Sequence, residues 1–170
     1  MKRKNLVILS GVPGAGKSTW IKQHLEENDV YVSRDEVRFS IISDDEDYFS
    51  HETETFDRFV REIEKNLEKG KRVFADATHI NWASRRKLIE RLHNREDIDI
   101  DVYYFTITLP LAIARNNQRE GRARVPEDVI RRMYKQSTHP SSDPFTYHTI
   151  KLIFSDGQES IISHNGKEEE

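Results

Sequence analysis

The sequence predicts an α/β domain with an open parallel sheet flanked by helices. Short apolar or β-branched runs alternate with segments of helical periodicity, and a glycine-rich loop joins the first run to the first helix. A chain of 170 residues suits one domain, so we expect a single domain over 1–165 and a disordered tail over 166–170. The five runs cover residues 6–9, 30–32, 73–75, 102–106 and 150–154.

Helices are predicted between these runs. Apolar residues recur on one face over 53–69, and Gly70 ends that pattern. The same periodicity predicts a helix over 84–93. Two more helices are predicted to start at Pro110 and Pro126, because proline's fixed φ and missing N–H suit a first helical turn.

Composition argues against a membrane protein and against disulfides. The charged fraction is 34% and the hydrophobic fraction is 35%, and no stretch approaches the roughly 20 apolar residues of a membrane span. The absence of cysteine excludes disulfides and thiolate metal sites. We therefore expect a cytoplasmic protein with no membrane partner.

Residues 11–18, GVPGAGKS, match the phosphate-binding loop G-x-x-x-x-G-K-S of P-loop NTPases. Glycines let such a loop curve until its N–H groups point at phosphate oxygens, and a following helix N-terminus also favours an anion. Lys17 can reach the β- and γ-phosphates, and the hydroxyl of Ser18 can hold Mg²⁺. We expect ATP to be bound by Gly14, Ala15, Gly16, Lys17, Ser18 and Thr19.

Two further runs are followed by polar residues that should open on the same sheet edge as this loop. Asp35 follows the second run, where its carboxylate could accept the proton of an attacking hydroxyl or cap the next helix. Arg38 would share a helical face with Asp35 and could grip an acceptor phosphate or form a surface salt bridge. Asp76 ends the third run, where it could hold Mg²⁺, face the acceptor or act as a structural cap.

Charge is distributed unevenly along the chain, although the net charge of −3 gives no general attraction to nucleic acid. Residues 115–135 hold seven bases and three acids, and the arginines of 115–124 fit a lid that closes over ATP or form a solvated face. Residues 44–54, the acidic segment, hold six acids and no Lys or Arg. This segment either shapes the mouth of an acceptor channel or keeps a surface helix hydrated.

Four stretches together, GVPGAGKSTW, SRDEVR, ADATHIN and RNNQREGRARVPEDVIRRMYK, resemble the kinase domain of phage and bacterial 5′-polynucleotide kinases. The resemblance runs in order from about residue 5 to residue 137. It implies a P-loop kinase with a five-stranded parallel sheet like that of adenylate kinase, an arginine-rich lid, ATP and Mg²⁺. The implied reaction transfers the γ-phosphate of ATP to the 5′-hydroxyl of DNA or RNA in a bacterial or phage-infected cell. A ligase or phosphatase would act in the same repair pathway.

The resemblance also implies roles for single residues. Lys17 and Ser18 match the phosphate-loop pair, and Asp35 matches the general base. Arg38 matches the arginine on the acceptor's 3′-phosphate, and Asp76 matches an essential acid on the acceptor side.

For the lid, Arg115 matches a residue that stacks on adenine, and Arg119 matches the arginine on the ATP phosphates. A one-residue insertion relative to some members of that family lets Arg119 and Arg122 exchange roles.

The chain departs from the phage enzyme at 154–157, because FSDG lacks the first acid of the D-x-D-G-T phosphatase signature. We expect a stand-alone kinase or a domain of a longer repair protein. The alternatives are a small-molecule or nucleoside kinase on this scaffold and a nucleotide-binding ATPase without an acceptor.

Overall fold

A computed structural model describes residues 2–164 of the chain. Its sheet has six strands, which are β1 (Lys4–Ser10), β2 (Asp29–Ser33), β3 (Arg72–Asp76), β4 (Ile98–Phe105), β5 (Thr149–Ile153) and β6 (Glu159–His164). They lie side by side in the order β2-β3-β1-β4-β5-β6. The first five strands are parallel, as the sequence predicts, and β6 is antiparallel to β5. The tail predicted over 166–170 lies outside the described residues.

The sixth strand corrects the expected count of five. Gly157 has a φ of +87°, which glycine adopts without strain, and its N–H donates to the carbonyl of Phe154 at 2.9 Å. Phe154 in turn donates its N–H to the carbonyl of Gln158 at 2.8 Å. The chain therefore reverses direction directly after β5, so the next strand pairs antiparallel at the sheet edge.

Six α-helices of the described residues flank the sheet. They are α1 (Lys17–His24), α2 (Arg34–Ile41), α3 (Glu52–Glu68), α4 (Trp82–Arg91), α5 (Leu109–Asn117) and α6 (Glu127–Gln136). The two proline predictions hold to within one residue, because Pro110 lies in the first turn of α5 and Pro126 is the N-cap of α6. None of these helices is long and apolar enough to cross a bilayer.

The core lies on both faces of the sheet, because side chains alternate along each central strand. On β1, Leu6 and Ile8 pack against the apolar stripe of α3, while Val7 and Leu9 pack on the other face with Trp20 of α1. All four β1 side chains are fully buried. Two helical layers thus fix the central strands, and the loops after β1, β2 and β3 emerge together at one edge.

Candidate active site

The loop between β1 and α1 forms a cradle that only glycine permits at its tightest point. Gly14 and Gly16 have φ values of +85° and +95°. A Cβ on Gly14 would stand 2.5 Å from the carbonyl oxygen of Ala112 in α5. Gly16 caps α1 without a side-chain hydrogen bond, so the helix N-terminus offers free N–H groups. The cradle therefore fits the phosphates of a nucleotide.

Lys17, the first residue of α1, has its ammonium group folded over this loop. Its Nζ donates to the carbonyl oxygens of Gly11 at 2.6 Å and Val12 at 3.2 Å. An ammonium has three N–H donors, so one remains for a phosphate oxygen. Burial lowers the pKa of Lys17, whereas the negative charges of Asp76 and Asp35 act in the opposite direction.

Asp76 ends β3 with its side chain buried beside the same loop. Its Oδ2 accepts a short hydrogen bond from the hydroxyl of Tyr31 on β2. Burial raises the pKa of Asp76, and Lys17 counteracts that shift. Burial and the charge of Asp76 raise the pKa of Tyr31, while hydrogen bonding to Ser18 acts in the opposite direction. Carboxylate and hydroxyl oxygens are ligands that suit Mg²⁺, so Asp76 and Ser18 can hold that ion together with phosphate oxygens.

Asp35 lies in the first turn of α2, but it is not the helix cap. Ser33 takes that role, because its side chain accepts the N–H of Glu36 at 3.2 Å. The capping alternative for Asp35 is therefore wrong. The Oδ1 atom of Asp35 accepts hydrogen bonds from Arg38 at 2.6 Å and from the Tyr48 hydroxyl at 2.5 Å. Its side chain is 59% exposed, and within residues 2–164 its Oδ2 has no hydrogen-bond partner.

Arg38 is buried, and nearly all of its N–H groups have hydrogen-bond partners. It therefore does not form the surface salt bridge that the sequence left open. Its Nη2 donates to both carboxylate oxygens of Glu52, at 2.9 and 2.8 Å. Its Nη1 donates to Asp35 and to the hydroxyl of Tyr48, and its guanidinium lies 4.0 Å from the centre of the Tyr48 ring. The Nε of Arg38 is buried without a hydrogen-bond partner among the described residues. Glu52 also pairs with Arg34.

The lid (residues 115–124) reaches α2 and the acidic segment. Arg122 lies 3.4 Å from the carboxylate of Asp44, and its guanidinium lies 4.2 Å from the centre of the Phe39 ring. Arg115 lies outside the cavity lining, and its Nη2 donates to the carbonyl of Ser155 at 3.3 Å. The acidic segment therefore contacts the lid directly.

The base of the lid is fixed by one buried amide. Asn116 donates its side-chain N–H to the carbonyl of Val125 at 2.6 Å and accepts the N–H of Val125 at 2.9 Å. This pair joins the end of α5 to the residue before the N-cap of α6. The segment between them is held at its two ends, while its arginines project from it.

One cavity of about 510 Å³ brings these groups together. Of the residues predicted for the site, eight line it, and four lie outside its lining: Gly14, Ala15, Thr19 and Arg115. Gly14 and Ala15 are buried within the loop itself, and Thr19 is exposed on α1. The lining residues from the predicted set are Gly16, Lys17, Ser18, Asp35, Arg38, Asp76, Arg119 and Arg122.

Sequence reasoning missed three side chains of this site: Tyr31, Tyr48 and Glu52. Tyr31 carries no signal, because tyrosine is common in strands. Tyr48 and Glu52 belong to the acidic segment, for which the sequence leaves open the mouth of a channel or a hydrated surface helix and singles out neither side chain. Their contacts with Asp35 and Arg38 show that this segment forms one wall of the cavity.

A buried ion pair holds the segment that follows β3, next to the site. Arg85 of α4 is fully buried and binds the carboxylate of Asp143 through two hydrogen bonds of 2.7 and 2.9 Å. The same guanidinium donates to the carbonyl of His79 at 2.9 Å. His79 is buried with a φ of +40°, and its Nδ1–H donates to the carbonyl of Leu9 at 2.8 Å. Burial lowers the pKa of His79 to about 3, so the ring is neutral and structural.

The fold and the site together define a P-loop nucleotide-binding protein with a kinase-like scaffold. Residues 6–140 match the AAA domain family (AAA_33). Because this match covers most of the chain, the protein belongs to that family.

Solved structures agree with this assignment. A chain of the Pnkp1/Rnl/Hen1 RNA repair complex is similar with a TM-score of 0.70 and 24% identity, over 80% of this chain and 44% of that one. A gluconokinase from Sinorhizobium meliloti 1021 is similar with a TM-score of 0.56 and 12% identity, over 91% and 85%. A sugar kinase from Janibacter sp. HTCC2649 is similar with a TM-score of 0.60 and 14% identity, over 91% and 86%. The protein spans less than half of the repair-complex chain, and at these identities the likeness shows the fold.

Proposed function

We propose that the protein is an ATP-dependent polynucleotide 5′-hydroxyl kinase that acts on DNA or RNA ends. The observation that carries the proposal is the Asp35–Arg38 pair, which lines one cavity with Lys17 and Ser18 of the phosphate loop. A carboxylate with one free oxygen beside a nucleotide cradle is the arrangement that a hydroxyl acceptor requires. The similarity to a chain of an RNA repair complex supports the same choice of acceptor.

On the donor side, the loop and the lid would hold the triphosphate. The N–H groups of the loop bind phosphate oxygens, and the remaining donor of Lys17 reaches the β- and γ-phosphates. Mg²⁺, held by Ser18, would neutralise charge on these oxygens. Arg119 lines the cavity, and within residues 2–164 its guanidinium has no hydrogen bond or ion pair, so it is available to the transferred phosphoryl group.

On the acceptor side, Asp35 would act as the base. The 5′-hydroxyl oxygen attacks the γ-phosphorus while its proton passes to Oδ2 of Asp35. The new O–P bond forms as the bond from the γ-phosphorus to the bridging β–γ oxygen breaks, and ADP leaves with that electron pair. Arg38 and the Tyr48 hydroxyl bind Oδ1 and thereby orient the free oxygen toward the cavity.

Arg38 would bind the acceptor's 3′-phosphate by exchanging partners. Its N–H groups are engaged by Asp35, Tyr48 and Glu52, so a phosphate oxygen must replace one of them or use the unpaired Nε. Charge-assisted bonds to phosphate compensate for such an exchange.

A small-molecule or nucleoside kinase is the second candidate. The observation that favours it is the charge of the cavity wall, where Asp44, Glu46 and Asp47 would repel a long polyanion. Two kinases of small molecules share the scaffold over more than four fifths of their chains.

The proposed activity also implies a domain extent, a location and partner enzymes. Residues 1–165 would form one domain, located in the cytoplasm of a bacterial or phage-infected cell. A ligase or phosphatase would act on the same ends, in line with the complex in which a similar chain occurs.

Transfer of labelled γ-phosphate to a panel of acceptors tests the proposal. The panel contains 5′-hydroxyl DNA, 5′-hydroxyl RNA, nucleosides and gluconate. Label on oligonucleotide 5′-ends that exceeds label on the small molecules supports a polynucleotide kinase. Label on nucleosides or gluconate alone would replace it with the second candidate. The dependence of KM on salt is a further criterion. Binding of acceptor phosphates releases counterions, so the KM for an oligonucleotide should rise with ionic strength.

A further inference from the structure

Two aromatic side chains stand at the mouth of the cavity beside Asp35. Phe49 is 61% exposed and lines the cavity. Its ring contacts Tyr48 edge to face, with centroids 4.7 Å apart and planes at 85°. Tyr48 is itself fixed between the guanidinium of Arg38 and the carboxylate of Asp35. Single exposed aromatic residues are common on protein surfaces, but this ring is tied to the proposed catalytic residues through its neighbour.

We propose that Phe49 is a stacking surface for the unpaired base of the 5′-terminal acceptor nucleotide. This inference rests on the proposed function and names the kind of end that the site accepts. A nucleoside whose 5′-hydroxyl reached Asp35 would place its base elsewhere in the same cavity, where the exposed ring of Phe49 is joined to Asp35 through Tyr48. Every base presents a π face, so stacking on phenylalanine holds the terminal nucleotide without selecting its sequence.

The cavity favours an unpaired end for two reasons. Its volume of about 510 Å³ is that of a small-ligand pocket, and the γ-phosphate must share it with the acceptor. The acidic segment, to which Phe49 itself belongs, also presents Asp44, Glu46 and Asp47, which would repel the added phosphates of a complementary strand. Hydrogen bonds from Ser43 lower the pKa of Glu46 to about 2, so this carboxylate is charged at neutral pH.

The test compares two single-stranded oligonucleotides that differ only in the 5′-terminal residue, which carries a base or is abasic with the 5′-hydroxyl kept. With the wild-type protein, the abasic acceptor should have a KM higher by roughly 5- to 150-fold, the range set by one base–aromatic stack. Phe49→Ala should raise KM by a similar factor for the normal acceptor and less than about twofold for the abasic one. Phe49→Trp should keep the lower KM for the acceptor whose 5′-terminal residue carries a base. A blunt duplex should be a poorer acceptor than the single strand, and Phe49→Ala should narrow that difference.

Tyr134→Ala is the matched control, because Tyr134 is 40% exposed on α6 and does not line the cavity. ATP affinity and thermal unfolding of every variant check that the fold is kept. If Phe49→Ala changes both acceptors equally, or neither, the stacking role is overturned while the kinase proposal stands. If no oligonucleotide is phosphorylated by a folded protein that binds ATP, the proposed function fails and this inference fails with it.

Discussion

Replacement of Asp35 by asparagine removes the ability of this side chain to accept a proton but keeps its ability to accept hydrogen bonds. The amide oxygen of asparagine can still accept the bonds that Oδ1 now receives from Arg38 and Tyr48. The lost charge belongs to a side chain that is 59% exposed, and Arg38 keeps its two bonds to Glu52. We expect the free energy of unfolding to fall by about 1 kcal/mol, because the hydrogen bonds are kept and only the charge of the exposed partner is lost.

The catalytic effect of Asp35→Asn should be much larger. An amide cannot take the proton of the attacking hydroxyl, and a positioned base contributes roughly 10²- to 10⁴-fold to such a step. This corresponds to about 2.7 to 5.4 kcal/mol in the barrier. The assay measures kcat with saturating ATP and saturating 5′-hydroxyl oligonucleotide. It also measures the Kd for ATP, which should stay within about threefold because the role proposed for Asp35 is on the acceptor side.

Glu36→Gln is the control for this prediction, because Glu36 is an exposed carboxylate in the same helical turn and does not line the cavity. It should leave kcat unchanged. A kcat for Asp35→Asn within threefold of the wild type would refute the assignment of Asp35 as the base.

Three further predictions concern the cradle and the buried groups that support it. Gly14→Ala should weaken ATP binding, because its Cβ would meet the Ala112 carbonyl at 2.5 Å; isothermal titration measures this. His79 has a folded pKa of about 3 against 6.5 when free, so stability should fall as pH drops below 6.5, by at most about 1.4 kcal/mol per pH unit. Urea unfolding of His79→Asn between pH 6.5 and 4 should give a free energy of unfolding that lacks this decrease. Arg85→Met should lower the free energy of unfolding by about 3 to 5 kcal/mol, because Asp143 stays buried without its cationic partner.

Matched variants define the outcomes that would contradict these predictions. Gly70→Ala carries a comparable φ of +75° with nothing within 4 Å of its Cβ, so equal losses of ATP affinity for both alanine variants would exclude the steric argument. Arg86→Met removes an exposed pair with Glu90 and should cost at most about 1 kcal/mol. An Arg85→Met variant as stable as Arg86→Met would show that the buried pair does not support the fold. Identical pH dependence in His79→Asn and wild type would show that His79 titrates normally.

Much of the fold follows from local sequence patterns. The five apolar runs fall on the five parallel strands, and the phosphate loop fixes the order strand, loop, helix at the first of them. The strand β6 could not be predicted in this way, because a short edge strand with exposed Ile161 and Ile162 lacks the buried face that produces a clear signal. Its existence depends on the turn at Gly157.

The site was predictable only where a motif or a strand end marks it. Lys17, Asp35 and Asp76 could be placed at one edge because parallel strands end there. Tyr48 and Glu52 could not, because they meet Asp35 and Arg38 where the start of α3 and the turn before it lie against α2, and not through sequence spacing. The same packing explains why Arg38 is buried in a network of carboxylates although it was expected at the surface or free for a phosphate.

The most direct test of the kinase proposal follows the γ-phosphate of ATP itself. Purified protein is incubated with labelled ATP, Mg²⁺ and a single-stranded oligonucleotide that carries a 5′-hydroxyl, beside the same oligonucleotide with a 5′-phosphate. We predict label at the 5′-end of the hydroxyl acceptor, no label on the phosphorylated one, and loss of the signal by roughly 10²-fold or more in Asp35→Asn. A folded protein that binds ATP and labels neither DNA nor RNA would contradict the central claim.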